Sequence, residues 1–334
     1  MSNSLGKNFR FTVFGQSHAP AIGVTIEGLP AGFAPDMEAL AAFMARRAPG
    51  GRYATSRKEA DTVEFISGLV DGKCCGAVVT AIIRNTNTRS ADYEYMRHIP
   101  RPGHADFAAM AKYGEDRDFS GGGQFSGRLT APMCIAGALA MQLLEREGVK
   151  ISASIVSIGG ERDEKKMFEL IDCVRAEGDS VGGIIECRVE GLRPGVGEPM
   201  FDGLENRIAQ AVFGIPAVKG IEFGAGFAAA AMRGSENNDP FIIEEKGTVA
   251  TAGNNHGGIL GGISSGMPVV FRVAIKPTPS IAKTQKSVDM EKMCETDLNI
   301  RGRHDPCIVP RALPCVEAAA AAAIYDLILE GKRI

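Results

Sequence analysis

The chain has 334 residues and only five histidines, two of which fall in HIPRPGHAD, residues 98–106. Pro100, Pro102 and Gly103 specify a turn rather than a helix or strand. Arg101 fixes a positive charge in that turn, and His104 at its end can give or take a proton near neutral pH. A positive turn with a proton donor suits an anionic leaving group, and it equally suits a salt-bridged loop. FGQSHAP (14–20) is a strand end carrying Ser17 and His18. It lacks the strand-to-helix setting and second glycine of a hydrolase nucleophile elbow.

Three further stretches carry charge. RRAPGGRYATSRKEAD gathers Arg46, Arg47, Arg52 and Arg57 around a Pro-Gly turn. Arginine forks hydrogen-bond carboxylate or phosphate, and a solvated helix end is the plain alternative. SGGGQFSGR follows RPGHAD, so Arg101, His104 and Arg128 flank a glycine loop whose N–H groups can cradle an anion. KPTPSIAK and GRHDPCIVPR add Lys276, Lys283, Arg303 and Arg311, with Asp305 among them. Asp305 can serve as a base; taken alone, it reads as a salt-bridge partner of Arg303. Together these stretches describe one arginine-rich site with two histidines and a carboxylate, fed by both halves of the chain. Its ligand would be a small multi-anion carrying phosphate and carboxylate.

Composition narrows the choice. The net charge of -3 at pH 7 argues against nonspecific nucleic-acid binding. A hydrophobic content of 45% is enough for a full core. No GxGxxG follows the first strand and no GxxxxGK[ST] occurs, so neither a Rossmann nor a P-loop site is supported. The eight cysteines show no zinc spacing and read as reduced, mostly buried thiols; no metal is expected. No uninterrupted run of eighteen apolar residues occurs, and MSNSLGKNFRFTVFG has no signal-peptide core, so a cytoplasmic location is expected.

The elements that must position these residues follow from periodicity. FRFTVFG (9–15), AIGVTIEGL (21–29), DTVEFISGLV and GAVVTAIIRNT read as strands. DMEALAAFMARRA (36–48) reads as a helix capped by Asp36, and LTAPMCIAGALAMQLLEREG (129–148) as a long buried helix. The second half repeats the plan. VGGIIECRVEGLRPG parallels AIGVTIEGLPAG, with Glu190-Gly191-Leu192 matching Glu27-Gly28-Leu29. FDGLENRIAQAVFG follows as a helix, MPVVFRVAIKPT parallels GAVVTAIIRNT with Lys276 at Arg84, and PCVEAAAAAAIYDLILEG mirrors the long helix. This predicts one domain over 1–334 containing two pseudo-repeats, about 1–150 and 151–334. Strands come in pairs rather than alternating βαβα, so the fold class expected is α+β, with antiparallel sheets and helices packed on their faces.

FGQSHAPAIGVTIEGLPAG, RRAPGGRYATSRKEAD, RNTNTRSADY, RPGHAD, GDSVGG, GIPAVKG, GGILGGISSG, KPTPSIAK and GRHDPCIVPRALP resemble the chorismate synthase family, in the family's order from about residue 5 to 330. The resemblance implies a fold of antiparallel sheets sandwiched between helices and a homotetramer. It implies an anti-1,4-elimination of phosphate from 5-enolpyruvylshikimate 3-phosphate, giving chorismate as the last step of the shikimate pathway to the aromatic amino acids. It also implies reduced FMN with no net redox change, reduced either with NADPH or by a separate flavin reductase. By resemblance, His104 protonates the departing phosphate, His18 faces the reduced flavin ring and Asp305 relays a proton. Ser17, Arg46, Arg47, Arg52, Arg101 and Arg128 are then substrate-binding. Gln124, Phe125, Ser126, Pro216, Ala217, Gly261, Lys276, Pro277, Thr278, Pro279, Ser280 and Arg303 are then cofactor-binding.

The chain departs from the family pattern in places. GGGRSSARET becomes GGGQFSGRLT, so Gln124 replaces an arginine and Phe125 a serine. RRRPG becomes RRAPG, NNAGG becomes NNHGG with His256, and KPTSS becomes KPTPS; the segment around 155–178 is shorter. The altered loop leaves an alternative: a family paralogue that binds flavin or another anion with reduced or lost catalysis.

Overall fold

The computed structural model describes residues 3–48, 61–86, 90–245, 247–300 and 304–332. Two antiparallel sheets organise them. The first contains β1 (Ser4–Leu5), β2 (Arg10–Gly15), β3 (Ala21–Glu27), β4 (Glu64–Ser67) and β5 (Val79–Arg84), in the order β1-β2-β3-β5-β4. The second contains β6 (Lys150–Ile158), β7 (Gly183–Glu190), β8 (Val218–Phe223) and β9 (Val269–Ile275), in the order β6-β7-β9-β8. Hence β2-β3-β5-β4 and β6-β7-β9-β8 run in the same order.

Helix α1 (Met37–Arg47) follows β3; α2 (Asp106–Tyr113) and α3 (Thr130–Arg146) follow β5. In the second half come α4 (Glu164–Ala176), α5 (Leu204–Phe213) after β7 and α6 (Val309–Gly331) after β9. Asp36 caps α1, its carboxylate accepting from Ala39 N at 2.9 Å. A Cβ built on Gly28 would fall 1.9 Å from the Asn8 carbonyl oxygen, and one on Gly191 2.2 Å from that of Gly148, so the matched tripeptides make matched turns.

The class is α+β with antiparallel sheets, but the layers are stacked the other way round from the expectation: the helices lie between the sheets. The reason is in the burial. Val79, Ala81 and Ile83 on β5, and Val269, Phe271, Val273 and Ile275 on β9, bury one face each, as sheets covered on one side do. Helices α3 and α6 are instead buried almost all round, and a helix apolar on every face belongs at the centre. α3 packs on the first sheet, α6 on the second, and each on the other. They approach closely because Gly137 faces Ala318: a Cβ there would sit 2.3 Å from the Ala318 Cα. By length and mean hydropathy alone (1.2 and 1.7) the stretches Gly127–Arg146 and Val309–Gly331 would pass for membrane spans, although no uninterrupted apolar run announces them. They are 72% and 89% buried inside the molecule, so the core accounts for their apolarity.

Helix α6 starts at Val309, ahead of the Pro314 at which the sequence reading began it, with Pro310 in the first turn, where a missing N–H costs nothing. Its buried Asp326 accepts from the backbone N–H of Lys7 (2.9 Å), Asn8 (2.6 Å) and Phe9 (2.8 Å) and from Arg207, tying the N-terminal strands to the core.

Candidate active site

A cleft of about 760 Å³ opens where the loops between β5 and α3 meet the ends of β8 and β9 and the start of α6. The turn around Arg101 forms one wall. Arg101 is 7% exposed, and Asp106 holds it three times: from its backbone N (3.0 Å) and Nε (2.7 Å) to Oδ2, and from Nη2 to Oδ1 (2.9 Å). His104 Nδ1 meets the same Oδ1 at 2.6 Å and the Arg101 Nη2 at 3.1 Å. The shorter contact assigns the proton to Nδ1, donating to the carboxylate, which leaves Nε2 for the cleft. Burial alone would raise the Asp106 carboxyl, but the hydrogen bonds from Arg101 and His104 outweigh it and hold the group well below the usual carboxylate range. Asp106 was inside the RPGHAD stretch, yet the sequence reading gave it no role. A carboxylate two residues after a histidine is only an orienting group once the turn is known.

The glycine loop ties both histidines together. Gly121 and Gly122 have φ of 59° and 89°, a region that a side chain rarely tolerates. A Cβ on Gly121 would lie 2.6 Å from His18 Nε2 and 2.9 Å from Ser17 Oγ, and one on Gly122 would lie 3.1 Å from His104 Nε2. The two imidazoles therefore face neighbouring residues of one loop. Ser17 N donates to Gly123 O at 3.1 Å, and the His18 ring meets Tyr93 edge-on with centroids 5.4 Å apart.

The arginines form a network at the cleft floor. Buried Asp61 accepts from both Arg47 and Arg128. Arg47 Nε donates to Thr130 Oγ1 at 3.1 Å, and Arg128 reaches Asn85 Oδ1 at 3.3 Å. Asp305 pairs with Arg311, whose Nη1 donates at 2.6 Å, and Arg311 Nε reaches the Arg47 carbonyl at 3.1 Å. The partner proposed from sequence, Arg303, lies outside the described residues, as do Arg52 and Arg57. Arg47, Arg101, Arg128, Lys219, Lys276 and Arg311 all line the cleft. Among the described residues, Asp61, Asp106 and Asp305 stand against these six basic side chains, so their sum is positive.

The opposite wall comes from the second half. Lys276 donates to the Gly103 carbonyl, and burial, then neighbouring Lys219, lower its pKa. Ser280 Oγ accepts from Arg101 Nη1 at 3.3 Å. Pro216 and Ala217 line the cleft, Ala217 with φ of 75°, and so do Thr278 and Pro279. Thr278 Oγ1 is buried with no hydrogen-bond partner among the described residues. Gln124, Phe125 and Ser126 also line the cleft, and Phe125 is 36% exposed with Tyr113 at 6.5 Å.

Three expected site residues are elsewhere. Arg46 forks onto buried Glu317 at 2.7 and 2.8 Å, joining α1 to α6; it lies about 100° round the helix from Arg47, which lines the cleft. Gly261 is at the tip of the hairpin Ile259–Leu260/Ile263–Ser264, outside the cleft lining. Pro277 faces Gly182, between neighbours that do line the cleft. His256 is away from it too, bridging Asp239 Oδ2 (2.6 Å) and Ser265 Oγ (3.0 Å) to fix its loop. Asp61, Asn85, Asp106, Tyr93, Thr130, Lys219 and Cys315 are among the cleft residues, or their direct partners, that sequence reasoning missed.

Such a cleft can hold a small anion and move a proton at it. Comparison with known proteins narrows the class. Residues 9–329 match the family described as chorismate synthase. A chorismate synthase of Korarchaeum cryptofilum is 44% identical over 98% of both chains, and one of Thermococcus kodakarensis is 46% identical over 98% of both. A crystal structure of a chorismate synthase superposes with a TM-score of 0.75 at 29% identity, covering 98% of this chain and 93% of that one. The chain belongs to the chorismate synthase family, which consists of lyases.

Proposed function

We propose that this chain eliminates phosphate from 5-enolpyruvylshikimate 3-phosphate to give chorismate. The observation that carries the reading is the glycine loop, which brings His18 and His104 onto adjacent residues within a cation-lined cleft. Phosphate leaves poorly as a full anion, so a proton and fixed cations at the departing oxygen lower the barrier. Arg47 and Arg128 share one carboxylate, and their surplus charge supports an anion-binding role. His104 presents Nε2 to the cleft and, in its cationic form, donates the proton there, while ionised Asp106 holds its Nδ1–H. Asp305 is positioned by Arg311 beside the same space to hold a proton.

The residues present fit a flavin phosphate and ring. A volume of about 760 Å³ is in the range of cofactor sites, and the orphaned Thr278 hydroxyl awaits a polar partner. Gln124, Phe125, Ser126, Pro216, Ala217, Lys276, Thr278, Pro279 and Ser280 would hold reduced FMN. When bound, it would supply the electron density and proton acceptor that a weakly acidic ring C–H needs. NADPH or a separate reductase would keep it reduced.

A homotetramer is proposed by family membership. The exposed apolar hairpin carrying Phe241, Ile243 and Val249 (69%, 77% and 61% exposed) supports association, which light scattering would test. A cytoplasmic location is proposed because both span-like helices are buried. The test of function is His104→Ala. Turnover should fall by about 10²–10⁴-fold, the worth of a positioned general acid, and a rate near that of the unchanged chain would reduce His104 to a structural role.

A further inference from the structure

Nothing in the proposed chemistry uses a thiol, yet one lies at the cleft floor. All eight cysteines are free, five of them buried. Cys134 on α3 and Cys315 on α6 place their sulfurs 3.8 Å apart. Cys315 lines the cleft and is 3% exposed, whereas Cys134 behind it is fully buried. The close helix crossing one turn on, at Gly137 and Ala318, brings the two sulfurs together. Closing 3.8 Å to an S–S bond takes roughly 1.8 Å of movement.

We propose that Cys134 and Cys315 form a redox-active dithiol, which a small peroxide entering through the cleft oxidises to a disulfide joining α3 to α6. The surroundings favour Cys315 as the attacking sulfur. The hydrogen bond from Cys134 and the charges of Arg47 and Arg311 outweigh burial and lower the Cys315 pKa, while burial raises that of Cys134. The Cys315 thiolate attacks one peroxide oxygen, the O–O bond breaks, and a sulfenic acid and hydroxide result. The Cys134 sulfur then displaces the hydroxyl from Cys315, its proton going to the departing oxygen. Two thiols lose two electrons and hydrogen peroxide becomes two waters. Cys315 lines the cleft at 3% exposure, so the oxidant must be small.

The test uses the full chain with the exposed thiols removed (Cys75→Ser, Cys173→Ser and Cys294→Ser), treated with hydrogen peroxide and measured by intact mass and peptide mapping. The expected result is a 2 Da loss, a linked Cys134–Cys315 peptide and reversal by dithiothreitol. Saturating inorganic phosphate, which would occupy the cleft, should slow the loss several-fold. Adding Cys315→Ala or Cys134→Ala should abolish the link. An unchanged mass, stepwise oxygen addition at Cys315 without a link, or a link through Cys187 or Cys307 would each overturn the proposal. The first measurement stands whether or not those added variants fold.

Discussion

Replacing Asp106 with Asn keeps the size of the side chain and removes its charge. Four donor contacts end on this carboxylate, three from Arg101 and one from His104. Asn retains one acceptor oxygen, so about half of these contacts are lost or reversed, and those to charged groups are worth roughly 1.5–3 kcal/mol each. Arg101 is 7% exposed and would lose its counter-charge, which costs about 3–5 kcal/mol when a buried pair is broken outright. We expect unfolding free energy to fall by about 3 kcal/mol in chemical denaturation. The amide NH₂ would face the His104 Nδ1–H, so the imidazole would turn or shift its proton, and turnover should fall about 10²-fold by misplacement. Because Asp106 positions His104, kcat of the Asp106→Asn/His104→Ala double variant should be no lower than that of His104→Ala alone, while the release of Arg101 raises KM. Steady-state turnover of the four proteins measures this. Losses that multiply would refute the positioning role.

Asp106 also sets an acid limb. Its folded-state pKa is depressed, so its stabilisation is present above the unfolded value of about 4 and is lost as pH falls below that. Asp106→Asn should flatten the fall in stability between about pH 4 and 2, and an unchanged slope would show that the pairing contributes nothing. Gly121→Ala should cost roughly 1–2 kcal/mol for backbone strain and should also drive the new methyl into His18, 2.6 Å away, so turnover falls while thermal melting shows the fold retained. Full activity in that variant would move His18 out of the account. The surplus of cations predicts a KM that rises several-fold between 0.1 and about 1 M salt as screening shortens to about 3 Å, with phosphate competing against substrate; a salt-independent KM would contradict the electrostatic reading.

Much of this was legible in the chain, for identifiable reasons. The alternating runs of β3, β5, β7 and β9 bury one face each, so their period is two, and α1 opens on a capping aspartate. The same order of strands in both sheets supports our proposal of a duplicated unit with a boundary near 150. β6 went unread although ISASI alternates, and β8 carries Gly220 beside a register shift that breaks the pattern. The layer order was invisible because periodicity says which face is apolar, not what covers it. At the site, motif residues such as His18, His104 and Arg128 were readable by type. Their partners were not: Asp61 joins Arg47 and Arg128 only through the fold, and Arg46 differs from Arg47 only by the helix face it occupies.

The measurement that bears most directly on the account is anaerobic turnover of 5-enolpyruvylshikimate 3-phosphate with dithionite-reduced FMN, following chorismate by absorbance and phosphate release in parallel. Gln124 and Phe125 in the glycine loop make it a real test, since they remove a positive charge and a hydroxyl found in the family pattern. The account predicts chorismate and phosphate in equal amounts, both falling together by about 10²–10⁴-fold in His104→Ala. No chorismate under any reducing condition, from a protein shown to be folded and to bind FMN, would contradict it.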